Sequence, residues 1–306
     1  MLALIAGTGA LPGVLAAKLR ARAEAALVCE MTGFAVTGTG DLERISYRLE
    51  TLGTLLAQLR SRGVTEVCFA GAIRRPVIDP ARIDDLTRPL VPPLIAALRA
   101  GDDGALRAVI AIFEAAGFAV RAAHEIAPDL LPATGVLSVA RPTALHLQDV
   151  IRAQAVHAAM AQVDVGQACV VHQGQVLAVE AAAGTDAMLR GLVEAEPAPP
   201  GDPLIWAVDS ASDVVAGWAD WLSGPEVPRP TPRIVRQGGL FYKAPKPGQD
   251  LRADLPVIGP ETVTGAVAAG LGALVIAAGG VMVIDLPQVV TLADRHGVVL
   301  WVRPVT

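Results

Sequence analysis

Short apolar runs that stop at glycine and lead into helix-period segments limit this chain more than any other feature it has. Leu2–Ala6 ends at Gly7-Thr8-Gly9-Ala10-Leu11-Pro12, after which a helical pattern continues to Arg22. Ala26–Glu30 and Glu66–Ala70 read as further strands, and between them Leu52–Arg62 places Leu55, Leu56 and Leu59 on one helical face. Asp102–Ala116 is a periodic helix carrying Leu106, Val109, Ile110 and Phe113, and Ala119–Ala122 is a strand leading to His124-Glu125. Strands alternating with helices predict a parallel sheet with covering helices. The fold class is therefore α/β, with an N-terminal Rossmann-like parallel-sheet domain over residues 1–132.

Residues 133–306 read as a second, mixed α/β domain. Leu145–Met160 is a helix, and Gln167–His172 and Gln175–Glu180, joined through Gln173-Gly174, form a hairpin that leads to a helix at Asp186–Val193. Residues 194–237 carry eight prolines and three tryptophans without a sustained apolar period, which marks an insertion. Thr262–Ile284 lacks charge and is long enough to span a bilayer, but Gly279-Gly280 divides it into helix, strand, turn and strand.

With 306 residues, 53% of them hydrophobic, the chain can bury two cores. Its net charge of −5 and lack of a basic stripe argue against a nucleic-acid partner. Cys29, Cys68 and Cys169 each lie inside an apolar run without metal-ligand spacing, as expected of buried thiols in a reducing, cytoplasmic compartment. Met1–Leu19 lacks the basic start of a leader, and its glycines interrupt the apolar run, so no cleavage is expected.

Several stretches carry chemistry. Gly7-x-Gly9, followed by Ala10 and Pro12, resembles a dinucleotide fingerprint, and Glu30 sits where an acid meets a ribose hydroxyl; Pro12 replaces the third glycine. Gly71-Ala72-Ile73-Arg74-Arg75 leaves a strand at its C-terminal end, where open α/β sheets bind ligands, and Arg74 can present a forked donor to phosphate. Asp102 and Asp103 open a helix, as capping acids or as holders of metal-bound water. His124 follows a strand at the crevice edge, as a structural group or a ligand contact. Glu180-Ala-Ala-Ala-Gly184-Thr185-Asp186 is a small-residue loop that places Thr185 as a helix cap, with Glu180 or Asp186 able to hold a divalent cation. Lys243–Gly259 concentrates Lys243, Lys246, Asp250, Arg252 and Asp254 in a proline-stiffened loop suited to anion and metal or water binding.

Taken in order, Leu4–Pro12, Cys68–Pro76, Gly101–Arg107, Ala123–Glu125, Asp164–Gln167, Glu180–Leu189, Lys243–Pro247 and Asp254–Gly259 resemble the UDP-2,3-diacylglucosamine pyrophosphatase family of the LpxI type, from lipid A biosynthesis. The resemblance spans most of the chain, with the 194–237 insertion and Thr37–Arg48 as departures. It implies a lipid-linked nucleotide-sugar substrate held between two α/β domains and cleaved by Mg2+-dependent hydrolysis, with Mn2+ as the alternative ion. It implies Asp254, Asp186 and Glu180 as catalytic residues, Asp254 and Asp186 as metal ligands, and Gly7, Gly9, Ala10, Gly71, Ile73, Arg74, Asp103, His124, Thr185, Lys243 and Lys246 as substrate contacts. A lipid substrate implies peripheral contact with the inner membrane, and a homo-oligomer stays open. Two other readings remain at this point, a nicotinamide-dependent oxidoreductase and a non-catalytic nucleotide-sugar binding protein.

Overall fold

The computed structural model describes residues 1–73, 77–98, 102–193, 238–252 and 254–304. The first sheet consists of β1 (Leu2–Ala6), β2 (Ala26–Met31), β3 (Glu43–Tyr47), β4 (Glu66–Ala70) and β5 (Ala119–Val120). Its order is β3-β2-β1-β4-β5, and every pairing is parallel. Helices α1 (Leu11–Ala21), α2 (Leu52–Ser61), α3 (Val91–Leu98), α4 (Asp102–Ala115) and the short α5 (Ala123–Ile126) belong to this unit. Because β1 and β4 are neighbours while the chain leaves β1 toward β2, the strand order reverses at β1. The Gly7 and Gly71 loops both emerge there, at the carboxyl ends of their strands.

The strand β3 lies within Thr37–Arg48. Its alternation is legible after the fact: Ile45 and Tyr47 are buried, whereas Glu43, Arg44 and Ser46 are not. Glu30 then has an explanation other than a ribose contact, because its carboxylate accepts from Arg44 at 3.1 Å across the β2–β3 pair.

The second sheet is mixed. It contains β6 (Gly135–Val136), β7 (Ala168–His172), β8 (Gln175–Val179), β9 (Gly239–Lys243), β11 (Leu271–Ala277) and β13 (Val299–Arg303), while β10 (Val257–Ile258) pairs separately with β12 (Met282–Val283). Its order is β6-β13-β11-β9-β7-β8, parallel among β13, β11 and β9 and antiparallel elsewhere. Helices α6 (Ala144–Gln162), α7 (Thr185–Val193), α8 (Pro260–Ala268) and α9 (Leu286–Arg295) accompany it. The β7–β8 turn uses Gln173 and Gly174 at φ of 48° and 76°, the left-handed pair expected of a tight hairpin, and both backbone N–H groups donate to Asp149. The uncharged stretch resolves into α8, β11, a turn and β12, and among the described residues no helix is long and apolar enough to cross a membrane. The 194–237 insertion lies outside the described residues.

Among the described residues three apolar cores form, and one of them joins the domains. Leu2, Leu4, Leu15 and Leu19 of the first unit share a cluster with Leu255 and Met282 of the second, with Leu251 packed against it. The polar loop is therefore pinned by its own leucines to the first domain. All three cysteines are free and buried, and burial pushes each thiol up to about 12, which leaves them unreactive at neutral pH.

Candidate active site

Strand register assembles the second domain's half of the site. Ala168 of β7 pairs with Lys243 of β9, so Gln167 and Ala244 meet just beyond them, and the Ala244 N–H donates to the Gln167 carbonyl at 3.1 Å. Glu180, following β8, donates its own N–H to Ala168 at 2.8 Å. Three strand ends thus bring Gln167, Glu180 and Lys243 together from positions up to 76 residues apart in the chain.

A hydrogen-bonded chain runs through them. Lys243 Nζ donates to Thr185 Oγ1 at 2.8 Å and to the Val257 carbonyl at 3.2 Å. Thr185 Oγ1 donates to Glu180 Oε1 at 2.6 Å, while Glu180 Oε2 accepts the Gln167 backbone N–H at 2.9 Å. Gln167 Nε2 donates to Asp254 Oδ2 at 2.9 Å, and Gln249 Nε2 donates to the same oxygen and, at 2.6 Å, to the Asp254 carbonyl. Lys243 is only 6% exposed and Glu180 only 9%. Burial pushes the Lys243 ammonium below the usual lysine value, and the charges of Glu180, Asp254 and Asp186 oppose that push. Thr185 is itself the first helical residue, and its hydroxyl serves this chain in place of the capping role read from sequence.

The first domain supplies the facing loops. Gly7 donates to Ala70 at 2.8 Å, and Thr8 and Ala72 exchange backbone hydrogen bonds at 2.9 Å. The fit is tight enough to dictate glycine. A Cβ on Gly7 would sit 2.4 Å from the Ala72 oxygen and 2.9 Å from Ile73, and one on Gly71, at φ +85°, would sit 2.5 Å from the Thr8 oxygen. Gly9 is also left-handed, at φ +99°, but a Cβ there meets no atom within 4 Å. We expect Gly71→Ala to cost about 2–4 kcal/mol through backbone strain plus overlap, and Gly9→Ala only about 1–2 kcal/mol through strain. Denaturant midpoints check the ranking; equal losses would refute the packing role of Gly71.

The two halves enclose a cavity of about 350 Å³. From the first domain Thr8, Gly9, Ala10, Gly71 and Ala123 line it, and from the second Gln167, Glu180, Lys243, Arg252 and Asp254. Helix α1 starts at this wall, and no side chain caps it at Ala10. That leaves a helix N-terminus directed to anions. Arg252 ties the loop across the domains, pairing with Asp250 at 2.7 Å and with Glu114 of α4 at 2.6 Å, and Arg107 donates to the Gly248 carbonyl.

Other sequence candidates fall around this cavity. Asp186 is exposed on the first turn of α7, outside the lining, with its charge felt at Lys243. Lys246 is tied to Asp164 and is likewise outside the lining. His124 follows the lining residue Ala123, and its buried Nδ1 has no partner among the described residues. Asp103 stands in the first turn of α4, its side chain outside the description, and Arg74 and Arg75 lie outside the described residues. Sequence reasoning passed over Gln167 and Gln249 as site residues. Neutral amides leave no charge signature; strand register shows where Gln167 points, and the fold of the Lys246–Asp254 loop shows where Gln249 points. A second cavity, about 270 Å³, lies beside Arg48 and Glu50, but the Glu50 carboxylate is committed to Arg48 and the Asp79 N–H.

Among described residues no group of three or more His, Cys, Asp or Glu side chains could cage a metal ion. The donor set still fits Mg2+, which usually takes one or two protein carboxylates and completes its shell with water and substrate phosphate. Asp254 on the cavity wall could supply one such carboxylate.

Comparison with known proteins covers both halves. A family model described as the LpxI N-terminal domain matches residues 1–130, and one described as the LpxI C-terminal domain matches 133–301. A curated relative, UDP-2,3-diacylglucosamine pyrophosphatase LpxI of Caulobacter vibrioides, is 36% identical over 304 residues, covering 99% of this chain and 98% of the relative.

Proposed function

The chain belongs to the LpxI family, and from that premise we propose that it hydrolyses the pyrophosphate bond of UDP-2,3-diacylglucosamine, with water attacking the α-phosphorus to give UMP and 2,3-diacylglucosamine 1-phosphate. The observation that carries this reading is the placement of Asp254 and Lys243 on one interdomain cavity wall together with the glycine loops and the uncapped start of α1.

Cleaving a phosphoanhydride requires its oxygens to be neutralised and a water to be held in line with the leaving phosphate. Lys243 has three N–H bonds and spends two within the described residues, on Thr185 and Val257, so the third serves a phosphate oxygen. Its burial strengthens that contact by excluding water. The α1 N-terminus receives the other face of the diphosphate. Asp254 orients the attacking water and would hold a divalent ion, which when bound would add positive charge at the phosphate and lower the pKa of its water. Asp186 stands outside the cavity wall and is the weaker candidate ligand. Glu180, which lines the cavity and has a partner on each oxygen, supports Lys243 and Gln167.

A diacylated substrate further implies work at the cytoplasmic face of the inner membrane, through peripheral contact. The nicotinamide reading loses its ribose contact, since Glu30 pairs with Arg44. Purified protein given UDP-2,3-diacylglucosamine and Mg2+ should release UMP, lose that turnover in chelator, and regain it with Mg2+ or Mn2+. Substrate binding without turnover would favour a non-catalytic binding protein, and tight binding of reduced nicotinamide would favour an oxidoreductase.

A further inference from the structure

We propose that Gln167 is a positioning residue for the Asp254 carboxylate, setting its plane through a side-chain amide carried on a backbone anchored just before β7. The inference rests on the reading of Asp254 given above and deepens it. A carboxylate turns easily about its last torsion, whose preference is broad and two-fold, so its direction has to be imposed from outside. Here two neutral amides, Gln167 Nε2 and Gln249 Nε2, donate to one oxygen, Oδ2. With one oxygen fixed by two donors, the direction of the other is fixed as well.

The amides differ in what holds them. Gln249 belongs to the same loop as Asp254, and its Oε1 accepts the Lys246 N–H at 2.8 Å, so it is part of the fold of that loop. Gln167 comes from a different element. Its N–H is bound by Glu180 at 2.9 Å, its carbonyl by Ala244 at 3.1 Å, and Gly166 before it lies so close to Glu180 that a Cβ would fall 2.2 Å from that residue's oxygen. The amide therefore reports the position of the sheet to the loop. Glutamine also suits a carboxylate that must stay charged, since it supplies an N–H donor without adding a charge that competes with phosphate.

Gln167→Met keeps the length and removes the donor; Gln167→Glu keeps the shape and replaces the donor with a carboxylate. Both leave the backbone anchors of residue 167 in place. For each variant kcat and KM are measured on UDP-2,3-diacylglucosamine with Mg2+, with melting followed by circular dichroism and the Asp254→Asn background assayed at high enzyme concentration. We expect kcat to fall about 10–100-fold with KM within about threefold, as for other groups that orient a reacting carboxylate. Gln167→Met should cost nothing further in the Asp254→Asn background, where there is no carboxylate left to orient. Should Gln167→Met fail to fold, Gln167→Glu carries the same test. An unchanged kcat, a loss confined to KM, or an equal loss in the Asp254→Asn background would overturn the inference. A wild type without turnover would instead overturn the proposed reaction, so the two failures are distinguishable.

Discussion

Asp254→Asn should lower kcat by about 10²–10⁴-fold while the protein keeps its fold, the range expected when a group that orients or deprotonates the attacking water is lost. Asparagine matches aspartate in size and retains one carbonyl oxygen, so Gln167 and Gln249 keep an acceptor and the loop retains its leucine anchors in the first domain. What goes is the negative charge of a carboxylate that lines the cavity, while Glu180 keeps its bonds to Thr185 and the Gln167 N–H. The variant should also need more Mg2+ for its residual turnover. UMP release measured over a Mg2+ series checks both points, and a variant within threefold of wild type would remove Asp254 from the mechanism.

The second large effect falls on stability. Glu180→Leu should cost about 3–5 kcal/mol, because it removes the first of the charges that balance the buried Lys243, leaving Asp254 and Asp186 to do so, and strands the Gln167 N–H. Lys243 at 6% exposure would lose the acid linked to it through Thr185, and the Gln167 N–H would lose its acceptor. Glu180 is first among the charges that resist the fall in the Lys243 pKa. Removing it should lower that pKa further, so folded variant would lose the positive charge at a lower pH and the alkaline limb of activity would move down. Glu180→Gln should do less harm to the fold, about 1–3 kcal/mol, since its amide oxygen still accepts one of the two hydrogen bonds. Urea denaturation ranks the two, and equal stability of wild type and Glu180→Leu would refute the coupling.

Much of this was legible in the sequence because local patterns and tertiary structure agree. The Leu2–Ala6 run, its glycine loop and the helix after it are local features, and so are the Gln173-Gly174 turn and the division of the uncharged stretch at Gly279-Gly280. Charge drew attention to Lys243, Asp254 and Glu180 because each is an unusual residue in an apolar chain. What escaped depends on register. β3 is a half-buried strand of five residues beside β2, with too little apolar content to stand out. Thr185 looked like a cap because it precedes a helix; Lys243, 58 residues later, turns its hydroxyl to another use. Gln167 acquires its role only when β7 and β9 pair, and Gln249 only when its loop folds back on Asp254.

The most direct test of the account is hydrolysis of UDP-2,3-diacylglucosamine in 18O-water with Mg2+, followed by mass spectrometry of both products. Attack at the α-phosphorus should leave the label in UMP and the 2,3-diacylglucosamine 1-phosphate unlabelled. Label in the sugar phosphate would place the attack on the other phosphorus, and intact substrate would contradict the proposed activity itself.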